Sequence, residues 1–148
     1  MSRSRWLSVL VAALVLTAGC TQFSGPEKQL SVAVSDASTA VTTSQLGLTQ
    51  YGRHRTTAAV ASTTLTDMMA QVDKAAQSAG LISVTTRKQT ALRTRALADI
   101  GAAKQAILDA QTVIDRIPGS PSIGEAKRSL SQASDSLETL SNKLPEPR

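Results

Sequence analysis

Four apolar seams, each stepping alternately by three and four residues, constrain this chain more than any other feature. The first runs Leu30, Val34, Ala37, Val41, Ser44, Leu48, Tyr51, and the second Ala58, Ala61, Leu65, Met68, Val72, Ala75, Ala79. The third is Ala96, Ile100, Ala103, Ile107, Ala110, Ile114, Ile117, and the fourth Ile123, Ala126, Leu130, Ala133, Leu137, Leu140, Leu144. Such steps keep one stripe of a helix apolar, whereas a half-buried strand would alternate residue by residue. Breakers close each seam: Gly52 as a C-cap, Gly80, Pro118-Gly119, and Pro145 with Pro147. Ser24 to Glu27 and Ser122 to Glu125 have capping-box spacing, and Thr57 ends a loop over residues 53–57 as an N-cap. Running the first seam into the second needs a stammer at Gly52, which favours a turn there. Short connectors make neighbouring helices antiparallel. The expectation is an all-α, antiparallel up-down-up-down four-helix bundle with coiled-coil-like seams over residues 27–144. A three-helix bundle with the first two helices fused is the alternative, followed by an extended intermolecular coiled coil.

Composition decides what can fill that bundle. Of the 28 seam positions ten are Ala, and only 2% of the 148 residues are aromatic. Aliphatics must do the packing, and an Ala-rich seam buries little surface at about 25 cal/mol per Å². Modest stability follows, or a partner helix that supplies more surface. Leu97, Leu108 and Val113 widen the apolar face of the third helix, either as core or as a docking stripe.

Residues 1–20 have a different character. Arg3 and Arg5 make a basic start, and Trp6 to Leu16 is an apolar run of 11 residues. Thr17-Ala18-Gly19 then brings small residues up to Cys20, the only cysteine in the chain. A membrane span needs about 20 apolar residues, so this run reads as the core of an export signal. Leu16 and Ala18-Gly19-Cys20 resemble the lipobox of bacterial lipoproteins, with Thr17 standing where that family most often has Leu. The resemblance implies a diacylglyceryl group on the Cys20 thiol and cleavage just before it. Residues 1–19 are then a signal peptide, residues 20–26 the lipidated cysteine and a tether, and residues 145–148 a tail. The expected location is the extracytoplasmic side of a cell membrane, held by lipid. The remainder is similar in style to the short helical lipoproteins common in actinobacteria, a likeness that implies no activity.

Charge and reactive residues narrow the function further. The whole chain carries +5, but loss of Arg3 and Arg5 leaves 14 cations against 11 acids, about +3. That is too weak for nucleic acid, which calls for a dense basic face. His54, the only histidine, lies between Arg53 and Arg55 in a loop, and no second histidine or thiol is present to build a zinc site. Asp67 with Asp73, and Asp109 with Asp115, are six residues apart and face different sides of their helices, so neither pair converges for acid–base work. No nucleophile elbow or phosphate loop occurs. The expectation is a protein without catalytic residues, metal or cofactor.

The one pattern above background is basic: Arg87, Lys88, Arg93 and Arg95 at the start of the third helix. In a bundle tethered at its N-terminus, that start returns to the membrane side, where each Lys or Arg near an anionic leaflet contributes about 1 kcal/mol. Arg53, His54 and Arg55 would stand at the outward tip with the turn over residues 118–121, facing an envelope protein or anionic polymer. The expected role is a membrane-anchored, non-enzymatic interaction or structural module. A carrier holding a small ligand in a preformed cavity between its helices is the alternative.

Overall fold

A computed structural model of the chain describes residues 25–146, and Cys20 with the rest of the leader lies outside them. Four helices account for the fold: α1 Pro26–Gly52, α2 Ala58–Leu81, α3 Arg87–Ile114 and α4 Ile123–Ser141. No strand occurs among the described residues. The break at residues 53–57 separates α1 from α2, so the fused three-helix arrangement does not form.

Local chemistry sets each start. Thr57 accepts the Val60 N–H at 3.3 Å. Ser122 and Glu125 form a reciprocal capping box, with the Ser122 N–H donated to Glu125 Oε2 at 2.7 Å and the Glu125 N–H to Ser122 Oγ at 3.2 Å. A second capping box, Thr86 with Gln89, opens α3. At α1 the expected cap differs. Gly25 is the N-cap without a side-chain bond and Pro26 occupies the first turn, while Ser24 lies outside the described residues. Pro suits that place because its missing N–H has no intrahelical acceptor there.

The helix ends carry a second correction. Gly52 is the last residue of α1 and does not take the left-handed capping position. That falls to His54, with φ 55°. The His54 N–H is donated to Tyr51 O at 2.9 Å and the Arg55 N–H to Gln50 O at 2.9 Å, the paired bonds of a Schellman turn. Arg116, with φ 54°, repeats the arrangement after α3. Gly52 serves packing instead: a Cβ there would sit 2.7 Å from Ile123 Cδ1. Gly80 likewise lies inside α2, which ends at Leu81.

Cross-helix contacts fix the direction of every neighbour. Gln71 Nε2 donates to Asp36 O at 3.2 Å and Gly47 lies against Thr64, so α2 runs back along α1. Lys104 bonds Asp73 at 2.7 Å and Ser62 bonds Asp115 at 3.4 Å, so α3 runs back along α2. Gly52 against Ile123 joins the end of α1 to the start of α4. Each helix is therefore antiparallel to its neighbours, as up-down-up-down requires. The entry end holds the start of α1, the end of α2, the start of α3 and the end of α4; the far end holds the loops over residues 53–57 and 115–122.

The bundle is not square. α1 packs across the diagonal on α3, whereas α2 and α4 do not meet. α1 accordingly buries Ser31, Ala33 and Ala40 in addition to its seam. Of the 26 buried apolar residues, 12 are Ala, so the helices approach closely while each contributes little transfer energy. Leu48, Leu65, Ile100, Ile107, Leu130 and Leu137 are the large anchors. The seams fail only at their ends: Ala58 is exposed at the first residue of α2, and Ile117, past the end of α3, is 50% exposed. Tyr51, Met68 and Ile123 are half-buried against the core.

Candidate functional site

The basic residues at the start of α3 divide between two faces. Lys88 and Arg95 are seven apart, two helical turns along one stripe, and both face α4. With Lys143 beyond the end of α4 they line a groove of about 350 Å³ between α3 and α4 at the entry end. Asp99 lies in the same groove, 7% exposed, and accepts a hydrogen bond from Arg95 Nε at 2.8 Å. Lys88 Nζ also reaches Glu27 Oε1 at 3.5 Å, which ties the start of α3 to the start of α1. That pair is exposed enough to add little stability.

Arg93 points the other way. Its guanidinium donates to Ile82 O at 2.9 Å and seals a crevice beside Pro26, Leu30 and Val84, so it caps the α2–α3 connector. Arg87 is exposed and its side chain has no hydrogen bond or ion pair within the described residues. The four cations are thus one sequence cluster but not one structural site. Lys143 and Asp99 complete the groove and stand outside the cluster. An antiparallel register pairs the start of α3 with the end of α4, which is the signal that brings in Lys143. Asp99, beside the seam residue Ile100, carries no such signal.

The far end collects the two loops. Arg53, His54 and Arg55 are all exposed there. Arg55 lines a shallow groove of about 240 Å³ between α1 and α2, together with Leu46 and Val60, which are 59% and 58% exposed. Arg116 and Gly119, both with positive φ, shape the opposite loop.

No protein-family model, no curated protein and no solved structure matches this chain.

The acidic residues are tied into separate local contacts. Asp73 bonds Lys104, Asp109 accepts from Gln105 at 2.9 Å, and Asp115 accepts from Ser62. Asp67 is exposed. Neither spaced aspartate pair is brought together. Among the described residues no three His, Cys, Asp or Glu side chains cluster as metal ligands, and no helix is long and apolar enough to cross a membrane. Glu125 is held below its ordinary value of 4.5, chiefly by the Ser122 backbone N–H and then by the Ser122 side chain, with Arg128 adding to the effect. That shift belongs to a helix cap. Of the residues flanking the third seam, Leu108 and Val113 are half-buried, while Leu97 is 36% exposed.

Proposed function

We propose that this chain is an exported lipoprotein, cut before Cys20 and held by lipid on the extracytoplasmic face of a cell membrane, where its bundle acts as a non-enzymatic interaction or structural module. The observation that carries the reading is the leader: two arginines, an apolar run of 11 residues, and Ala18-Gly19-Cys20. A thiol bearing two acyl chains holds stably to a bilayer, whereas one chain binds only marginally. The geometry of the bundle is consistent with this. Pro26 is six residues on from Cys20, a span of at most about 22 Å at 3.3–3.6 Å per residue. The entry end, with Lys88, Arg95 and Lys143, would then lie close to the lipid surface, and Arg53, His54 and Arg55 would face outward.

Labelling of cells with a palmitate analogue tests the reading. The mature protein is expected to take up label and stay with washed membranes, and Cys20→Ser is expected to lose the label and accumulate uncut. Normal maturation and unchanged membrane retention of Cys20→Ser would refute it. The carrier reading asked for a chamber between the helices. For that alternative the depressions at α3–α4 and α1–α2, which open on the surface, are where a small ligand would sit.

A further inference from the structure

The α3–α4 groove at the entry end has the three features of a site for an anionic amphiphile. Its size, about 350 Å³, falls in the range of small-molecule sites. Its charge is positive: Lys88, Arg95 and Lys143, from two helices, line one concavity, against Asp99 on Arg95 and Glu27 on Lys88 at the rim, which leaves Lys143 without an acidic partner among the described residues. Its wall is mixed, because Leu92 and Leu140 lie alongside the cations.

Asp99 organises the site. It is nearly buried, and its bond to Arg95 Nε clamps the guanidinium by one edge. A held guanidinium loses less freedom on binding an anion, and its planar fork matches the paired oxygens of a phosphate. Ser136 places a hydroxyl group on the opposite wall, where it can donate to the same oxygens, whereas the Thr139 hydroxyl is spent on Asp135 O at 2.8 Å.

We infer that this groove binds the phosphodiester headgroup of an anionic membrane lipid, with Lys88, Arg95 and Lys143 on the phosphate and Leu92 and Leu140 against the glycerol and the first methylenes of an acyl chain. A free phosphate ion would leave the leucine wall unused. The choice of a membrane lipid as source also rests on the anchored reading, which puts this end of the bundle beside the bilayer; the convergence of cations does not. A phosphate that also bears a quaternary ammonium would bring a cation towards three others, so the site is expected to reject zwitterionic headgroups.

The test uses the chain as cells mature it, purified in a non-ionic detergent, with leucine methyl resonances followed by NMR. Dihexanoyl-phosphatidylglycerol is expected to shift Leu92 and Leu140 saturably, binding about ten-fold more tightly than dihexanoyl-phosphatidylcholine. Lys143→Gln and Lys88→Gln are each expected to weaken binding about five-fold, the equivalent of about 1 kcal/mol. Arg55→Gln, at the far end, is expected to leave it unchanged. Equal binding of the two lipids, absence of a saturable shift at both leucines, or indifference to both lysine substitutions would each overturn the proposal. Inorganic phosphate binding as tightly as the glycerol lipid would overturn the lipid assignment and leave an anion site. Soluble lipids make the result independent of acylation, so failure of palmitate labelling with intact lipid binding would sink the anchor alone.

Discussion

His54→Gly is expected to stabilise the protein, and the size of the gain can be worked from one dihedral. His54 sits at φ 55°, a conformation that costs an L-residue about 1–2 kcal/mol and glycine nothing. Glycine also widens the unfolded ensemble, which returns about 0.4–1 kcal/mol to the unfolded state. The His54 side chain is exposed, and only its backbone N–H is engaged in the turn, so little else is lost. The net gain is about 0.5–1 kcal/mol. At about 2.1 cal/mol/K per residue over the 122 described residues, the melting midpoint should rise about 2–4 °C. Thermal melts followed by circular dichroism read the shift. His54→Ala is the control, because it removes the same ring and keeps the strained φ. Alanine melting at or above glycine would show that the turn is not strained at this residue, and the reasoning would fail. Arg116→Gly should behave in the same direction with a smaller gain, because it also removes a cation from the C-terminal end of α3.

The buried Ser31 hydroxyl has no hydrogen-bond partner, whereas the Ser44 hydroxyl donates to Ala40 O at 2.8 Å. Ser31→Ala should therefore stabilise by about 1 kcal/mol and Ser44→Ala should be close to neutral, measured as urea midpoints; equal effects would contradict the difference in bonding. Glu125 is a carboxylate whose folded value is lowered, so its contribution is full above about pH 4.5 and fades as pH falls through the lower folded value. The stability gap between wild type and Glu125→Gln should accordingly narrow between about pH 6 and about pH 3, and a gap that widened on acidification would reverse the assignment. Gly52→Ala should forgo the usual helix gain of about 0.8–1 kcal/mol, because the new Cβ displaces the Ile123 methyl 2.7 Å away. Adding Ile123→Val, which deletes that methyl, should recover the gain; a single variant already stabilised to that extent would show that α1 and α4 are not in close contact there.

Much of the fold was legible because a seam is a local property. Val34, Val41, Leu65, Ile100, Ile107, Leu130 and Leu137 are all buried where the three-four stepping puts them. The wider face of α1 was not legible. Ser31, Ala33 and Ala40 are buried because α1 touches three helices, and which helix takes the central place is decided by packing between helices rather than within one. The turns misled for a related reason. Gly52 lies near the end of α1, and glycine is the cheapest left-handed residue, yet the chain reverses two residues later and imposes the conformation on His54. The Thr86–Gln89 capping box carried a readable spacing that the basic cluster beside it overshadowed. At the groove, Lys88 and Arg95 were readable from their seven-residue separation, and Arg93 parted from them because its place on the helix turns it towards Ile82.

The alanines that thin the core also shape the surface. α1 buries Ala33, Ala37 and Ala40, and α3 buries Ala96, Ala103, Ala106 and Ala110, so little side-chain bulk holds these two helices apart. Interaxial distance follows the size of the side chains at the contact, and the bundle closes across this diagonal. Shortening one diagonal of a four-sided array lengthens the other, which is why α2 and α4 do not meet. α4 is then held by α1 and α3 alone, and it is the shortest helix. Small residues such as Ala91 and Ser136 at its border with α3 leave an open groove where Leu or Phe would have filled it. Long cations at the rim reach over that floor; Asp99 offsets Arg95 and Glu27 offsets Lys88, which leaves Lys143 without an acidic partner among the described residues. The concave, positively charged entry end therefore follows from small residues at the α3–α4 border, Ala91 and Ser136, with long cations at the rim.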